Sequence, residues 1–516
     1  MSNASALFRS LIVYGLCLPL AVILGYMMAT PDNALIPGTG TWVAVLIICA
    51  VLIIPLLLRW HHVWLIAAWN TTAMLFFVPG KPQVWIGLTA VSLLISILQY
   101  TLNRKMTFLS VPSVARPAFF LSAVILLTAR LTGGLGMRIF GGDTHGGRQY
   151  ITELAAILGY FAIINRRIPP KQAGLYVALF FLGAGTLAIA ELPGVISPAF
   201  NFLFVIFPVS SLSAFTDQTS VIAQTALISR AGGFGVLGQA IIWVMLARYG
   251  LRGVLDASKP WRLGILCLFL LVLMSTGFRG GIITTLMVFA SLFYLERLHH
   301  TRLLLPVILG VLAVAALAIL FATRLPLSYQ RSLTFLPGIH LDPLARMDAE
   351  ASSEWRLQMW HEIMPQVPQY LLIGKGYAFS ATEQAMMRGT LEGTELVGNY
   401  HNGPLSVILP FGIFGALAFV WLVVAGIRVV YRNYLFGDPA YYHINKFLLV
   451  YFVVRVVVFF AIFGALGSDL PILLGLLALS ISLNGGLAKP QVVVSQPKVV
   501  FNRFKLHPSV HRPLGA

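Results

Sequence analysis

The 516-residue chain is 58% hydrophobic and only 10% charged, with a mean hydropathy of +0.86. A soluble domain carries roughly 25% charged residues, so this composition excludes a soluble globular protein and implies an integral membrane one. The net charge of +18 comes with no RNA- or DNA-binding motif, which argues against a nucleic-acid partner and for short basic loops and a basic tail.

In chain order, apolar runs of roughly 16–22 residues can each cross ~30 Å of hydrocarbon as a helix. They are predicted at 11–28, 42–58, 63–79, 84–100, 118–133, 151–165, 173–190, 234–249, 263–276, 281–295, 303–322, 404–427, 443–463 and 471–485. The N-terminal stretch has Arg9 but no small-residue cleavage site before Pro31, so 11–28 reads as a retained first helix. The expected fold is an all-α polytopic membrane protein with about 14 transmembrane helices, in the range 12–14. It is not the alternating ~10-residue pattern of an outer-membrane barrel. Cys17, Cys49 and Cys267 all fall in apolar runs, which argues against disulfides or a cysteine metal site.

Five regions follow. Residues 1–225 form an N-terminal transmembrane bundle and 226–322 helices bearing two arginine motifs. Residues 323–403 form a large extracytoplasmic loop, 404–485 the C-terminal helices and 486–516 a basic cytoplasmic tail. Lys and Arg alternate from one loop to the next. With the N-terminus inside, Arg59, Arg104, Lys105, Arg166, Arg167, Arg248, Arg252, Arg297, Arg428, Lys446 and the tail face the cytoplasm, and the short outer loops are almost bare. Both termini are therefore expected in the cytoplasm. Two outer regions are long, 191–233 and 323–403. The second contains a helical pattern, with Ser353 as N-cap and Trp355, Met359, Trp360, Ile363 and Met364 recurring up to Pro365. It reads as an amphipathic helix on the outer leaflet.

Four polar motifs sit at outer helix ends. In Ser275-Thr276-Gly277-Phe278-Arg279-Gly280-Gly281 an arginine lies in a glycine-rich turn, either a ligand contact or a snorkelling side chain in a hairpin. Arg230 precedes the span at 234–249, as a site residue or an interfacial anchor. Arg356 and Trp360, four residues apart, share a helix face; the arginine either binds or merely meets water. His401, between Tyr400 and Asn402, opens the span at 404–427, as a base or as a hydrogen-bonded structural residue. The nearby Gly374-Lys375-Gly376 turn lacks the third glycine and the strand–helix context of a nucleotide fingerprint.

All four motifs map to one outer face. Guanidinium groups suit bidentate phosphate recognition and stabilise charge on a departing diphosphate. A histidine, with an unperturbed pKa near ~6.5, can accept a hydroxyl proton. No acidic pair has metal-ligand spacing, so no metal or cofactor is expected.

At these residues the chain resembles the O-antigen ligase / O-antigen polymerase family, Wzy-like membrane glycan polymerases or ligases. Arg279 in its turn matches that family's arginine motif. Arg356 and Trp360 followed by Gly374 and Gly376 match its Arg…Trp and Gly-x-Gly pattern, and His401-Asn402 followed by Gly412, Ile413 and Gly415 its His-Asn motif. Arg230 looks like the family's Arg-x-x-Gly-x-Phe arginine. The likeness covers about 225–425. Pro404 departs from it, standing where the family commonly has an aromatic residue, and the Pro-Asn that often follows the Arg-x-x-Gly-x-Phe pattern is absent.

The resemblance implies a C-type glycosyltransferase-like fold with a large periplasmic loop in a bacterial inner membrane. It implies transfer of glycan, with inversion, from an undecaprenyl-diphosphate-linked donor among membrane lipids. The acceptor would be a glycan, lipid A-core or protein hydroxyl, with polymerase preferred over ligase. His401, Arg279 and Arg356 are then the expected catalytic residues, and Arg230, Asn402, Trp360 and Gly280 the expected substrate contacts. A transporter or flippase is the alternative, but such proteins place ionisable residues near the bilayer midplane. Here Arg130 and Arg455 fall inside spans, close enough to helix ends to snorkel or pair. A cysteine peptidase lacks an outer cysteine, and a non-enzymatic scaffold would leave the four motifs without a task.

Overall fold

The computed structural model describes residues 58–78, 80–102, 109–133, 144–208, 232–336, 338–380 and 400–490. The span expected at 11–28, all but the last residue of that expected at 42–58, Arg230, and the tail beyond 490 lie outside the described residues.

Among the described residues the regular structure is helical apart from one two-residue antiparallel pair, β1 (Thr144–His145) with β2 (Phe379–Ser380), and an isolated bridge between Met74 and Gln83. The helices are α1 (Val84–Leu102), α2 (Pro112–Thr132), α3 (Gly147–Ile164) and α4 (Ala173–Leu182), the last running on as a 3₁₀ stretch, Gly183–Glu191. They continue as α5 (Gly232–Val254), α6 (Pro260–Ser275), α7 (Arg279–Leu295), α8 (Leu304–Phe321), α9 (Leu327–Leu333) and α10 (Pro343–Ile363). The last are α11 (Gly403–Phe436), α12 (Tyr442–Ala461) and α13 (Leu466–Asn484). Among the described residues eight helices are long and apolar enough to cross a membrane, and α6 and α7 are shorter apolar helices. The protein is thus an all-α, multi-pass membrane protein.

The apolar helices differ in what surrounds them. α13 is hydrophobic all round and 83% of its apolar window is buried, at the centre against α3, α11 and α12. α8 is more apolar still but buries nothing, the arrangement expected where hydrocarbon is the solvent. The expected span at 63–79 is not one continuous helix. The run described from residue 58 ends at residue 68, because polar residues there bind other segments. Asn70 Nδ2 donates to the Phe180 carbonyl at 2.7 Å, the Thr72 amide donates to Thr186 Oγ1 at 3.0 Å, and Trp69 Nε1 donates to the Pro471 carbonyl at 2.9 Å.

The basic loops gather at one end of the bundle. Glu296, after α7, pairs with Lys446 of α12 at 2.8 Å and accepts from the Leu251 and Arg252 amides at the end of α5. Asn433 of α11 donates to Ser480 Oγ at 3.0 Å, and Asn445 of α12 to Asn484 Oδ1 at 3.0 Å, tying the ends of α11 and α13 there as well. The opposite end holds the N-termini of α5, α7, α11 and α13, together with α9 and α10.

α11 is broken. Pro410 and Gly412 (φ 63°) interrupt it, and proline in a helix interior removes one hydrogen bond and clashes with the preceding turn. The backbone carbonyls and the amide this releases are taken up by the segment after α10. The Lys375 amide donates to the Leu409 carbonyl at 2.7 Å, Gly376 to Pro410 at 3.1 Å, and Ile413 to Leu371 at 2.7 Å. The Gly-x-Gly turn is therefore a backbone clamp on a broken membrane helix. Gly374 has φ 88°, and a Cβ there would lie 2.1 Å from the Pro410 oxygen. Gly374→Ala is expected to unseat the clamp, at a cost on the order of 2 kcal/mol or more from backbone strain and lost hydrogen bonds. Thermal unfolding of the detergent-solubilised variant measures it; an unchanged midpoint would show that the clamp contributes nothing.

Candidate functional site

α10 begins at Pro343, ten residues earlier than the sequence pattern suggests. Its N-cap is Asp342, whose carboxylate accepts from the Leu344 amide at 2.8 Å, with Pro343 in the first turn. Ser353 therefore lies inside the helix. Its spacing puts Ala349, Ser353, Arg356 and Trp360 on one face, and that face receives the three other elements of the site.

The first is the α6–α7 turn. Arg279 opens α7 and its Nη2 donates to the Ala349 carbonyl at 2.8 Å and to Ser353 Oγ at 3.2 Å. Gly280 follows in the first turn, where a Cβ would meet nothing within 4 Å, so this helix start is open on that side. Its first amides have no partners within the helix and favour an anion. Arg331 of α9 secures the turn, pairing with Asp348 of α10 while its other nitrogen donates to the Gly277 carbonyl.

The second is the start of α11. Asn402 is its N-cap, Oδ1 accepting from the Leu405 amide at 3.1 Å, and Pro404 occupies the first turn, where no amide is needed. This is the physical reason for the departure at Pro404. Trp360 Nε1 donates to the Tyr400 carbonyl at 2.9 Å. His401 is thus held between a residue gripped by α10 and a residue capping α11, with a left-handed φ of 49°. Such a backbone is uncommon outside glycine and is found at functional positions.

The third is the turn between α12 and α13. Phe463 lies 5.1 Å, ring to ring, from His401, and the Arg356 guanidinium lies 5.6 Å from the same Phe463 ring. Trp355 meets His401 edge-on at 5.2 Å. Asp469 pairs with Arg455 and accepts from the Ala465 amide at 3.0 Å, and the Leu466 amide donates to Ser406 Oγ at 2.9 Å, which fixes this turn against α11. Arg455 is thus paired, one of the two outcomes its place near a helix end allows.

Burial, and then the positive charge of Arg356, lower His401 from its ordinary value to about 4. Its imidazole is therefore neutral at physiological pH. Burial, and then Arg331, also lower Arg356. Among the described residues no carboxylate pairs with Arg356, so its guanidinium is available to an anion. No group of three or more His, Cys, Asp or Glu side chains there could hold a metal ion.

The structure thus brings together His401, Arg279, Arg356, Trp360, Asn402 and Gly280. For Arg230 only its chain neighbour is placed: Gly232, where α5 starts, packs on the Phe278 ring. Sequence reasoning missed Arg331, Asp348, Trp355 and Phe463 as parts of this site. Arg331 and Asp348 carry no shared motif, and Phe463 lies sixty-two residues beyond His401 in the chain. Glu153, fully buried in α3 and accepting from the Tyr377 hydroxyl at 2.6 Å, was also missed as an ionisable residue inside a span.

A multi-pass helical membrane protein with a cationic, aromatic-lined histidine site at one end is the class that these features define. Residues 263–420 match the family model described as O-antigen ligase, and the chain carries a domain of that family. The matched region holds Arg279, Arg331, Arg356 and His401, and stops short of Phe463. A comparison with curated proteins gives no match.

Proposed function

We propose that the protein is a membrane glycosyltransferase, a glycan polymerase or ligase that transfers glycan from a polyprenyl-diphosphate donor to a hydroxyl acceptor. The observation that carries this reading is the meeting of a neutral, buried imidazole with an arginine that pairs with no carboxylate among the described residues, both against Phe463. The acceptor oxygen attacks the anomeric carbon and its proton passes to a ring nitrogen of His401. The bond from that carbon to the diphosphate oxygen breaks, and the diphosphate leaves with the bonding pair. Attack from the face opposite the leaving group inverts the anomeric centre. Arg356 and the α7 start with Arg279 stabilise the charge that builds on the diphosphate. Arg230 assists in holding the diphosphate, and Trp360 and Asn402 hold the histidine segment.

The site lies at the end of the bundle opposite the basic loops. By the positive-inside tendency that end faces the periplasm of an inner membrane, with both termini in the cytoplasm.

Purified protein given a polyprenyl-diphosphate-linked glycan and a glycan acceptor is expected to form new glycosidic bonds and release polyprenyl diphosphate. Translocation of intact donor without new bonds would refute the transferase and favour the carrier. In a deletion strain, surface glycan reduced to one repeat unit identifies a polymerase, and long unattached chains identify a ligase.

A further inference from the structure

The end of the bundle away from the histidine site contains a cavity of about 390 Å³. It is lined by Ser96 and Tyr100 of α1, Leu109, and Asn165, Arg166 and Arg167 immediately after α3. We propose that this cavity binds the phosphate headgroup of an anionic phospholipid.

Among the described residues its lining contains two adjacent arginines, an amide and a phenol, and no carboxylate. The arginines are held by construction. The Arg166 carbonyl accepts from Ser482 Oγ, the Ile168 amide donates to the Ser482 carbonyl at 2.9 Å, and Arg166 Nη2 donates to Gln99 Oε1 at 3.1 Å. The stem of Arg167 lies over Gly485, where a Cβ would stand 3.0 Å from Arg167 Cδ. Arg166 is half-buried and Arg167 exposed. Both α3 and α13 end here, and cations are favoured at helix C-termini in their own right, so two arginines alone would not indicate a ligand. The lining has a second feature that does. The Ser96 hydroxyl is 1% exposed and has no hydrogen-bond partner among the described residues. A buried polar atom left unpaired costs about 1–3 kcal/mol; a phosphate oxygen in the cavity would accept a hydrogen bond from it.

The lipid rather than free phosphate follows from the flank. On α1, below the cavity, Leu94, Ile97 and Leu98 are at least half exposed, an apolar wall for acyl chains. Basic pockets between helices on the cytoplasmic side of a membrane recognise anionic headgroups in this way. The cavity volume falls in the range of small-molecule sites, about 300–1,000 Å³.

The test uses the full chain in a neutral detergent, with binding followed by native mass spectrometry and by the shift of the thermal midpoint. It is titrated with dioleoyl-phosphatidylglycerol, dioleoyl-phosphatidylcholine or inorganic phosphate. Phosphatidylglycerol is expected to bind and stabilise, and phosphatidylcholine to do neither. R166Q/R167Q is expected to weaken phosphatidylglycerol binding about tenfold or more, as loss of charge-assisted hydrogen bonds should. The single variant R167Q, at an exposed position, covers the case in which the double variant does not fold, and S96A should weaken binding as well. R248Q/R252Q, at an exposed basic pair elsewhere on the same end, should bind as wild type does. Equal binding of both lipids, equal loss in the R248Q/R252Q control, or stabilisation by inorganic phosphate with none from lipid would each overturn the proposal. These readouts need no glycan transfer, so the outcome is independent of the proposed reaction.

Discussion

Replacing His401 is expected to abolish glycan transfer while the protein still inserts and folds. Removing a general base typically costs about 10²–10⁴-fold in rate, and both the alanine and the asparagine variants should show a loss of that size. The asparagine variant is the sharper one. His401 sits at φ 49°, where a side chain with a Cβ is strained by roughly 1–2 kcal/mol unless it is one, like asparagine, that tolerates this region. His401→Asn therefore keeps the turn between Tyr400 and Asn402 and removes only the basic nitrogen. Single-turnover transfer by purified protein measures the effect. Near wild-type transfer by His401→Asn would reduce His401 to a packing residue between Trp355 and Phe463.

The second large effect is expected at Arg356 and has two parts. Arg356→Gln should lower transfer by about 10²–10³-fold, the scale for losing one preorganised stabiliser of developing negative charge. It should also move the pH profile. In the wild type, burial and then Arg356 lower His401 to about 4. The base form thus persists well below the ordinary imidazole value of ~6.5, and kcat/KM should fall only as the pH drops through about 4. Without Arg356 one of the two causes is gone, so the pKa rises and the acid limb moves up towards that ordinary value. It stops short of it, because burial, the larger cause, remains. The ratio of activity at pH ~5 to that at pH ~7.5 should accordingly drop further in Arg356→Gln than in wild type. Arg356→Lys, which restores the charge without the planar fork, should return the limb but not the full rate. A loss of rate with an unmoved limb would place Arg356 too far from His401 for this mechanism. Arg279 is a less clean probe, because its bonds to Ala349 and Ser353 also join α7 to α10.

The membrane class and most of the helices were legible in the amino-acid order, because a helix in hydrocarbon must satisfy its own backbone and present apolar side chains for about twenty residues. Those are local properties. The exceptions are also physical. The stretch at 63–79 looks apolar enough, but Asn70 and Thr72 bond to the α4 region and end the helix. α10 looked as if it began at Ser353, since its amphipathic stripe starts there, yet Asp342-Pro343 caps it a few turns earlier.

For the site, the sequence by itself supplied His401, Arg279, Arg356 and the glycine turn, through short motifs on one predicted face. It could not say what each touches. Only the tertiary structure decided that Asn402 caps α11, that Trp360 holds the Tyr400 carbonyl, and that Gly374 and Gly376 clamp the helix broken at Pro410. Only it brought Phe463 between His401 and Arg356, and Arg331 under the arginine turn. Hydropathy and motif spacing act over a few helical turns. Desolvation and the field of a guanidinium depend on distances between segments far apart in the chain, and these set the protonation of His401 only once the helices have packed.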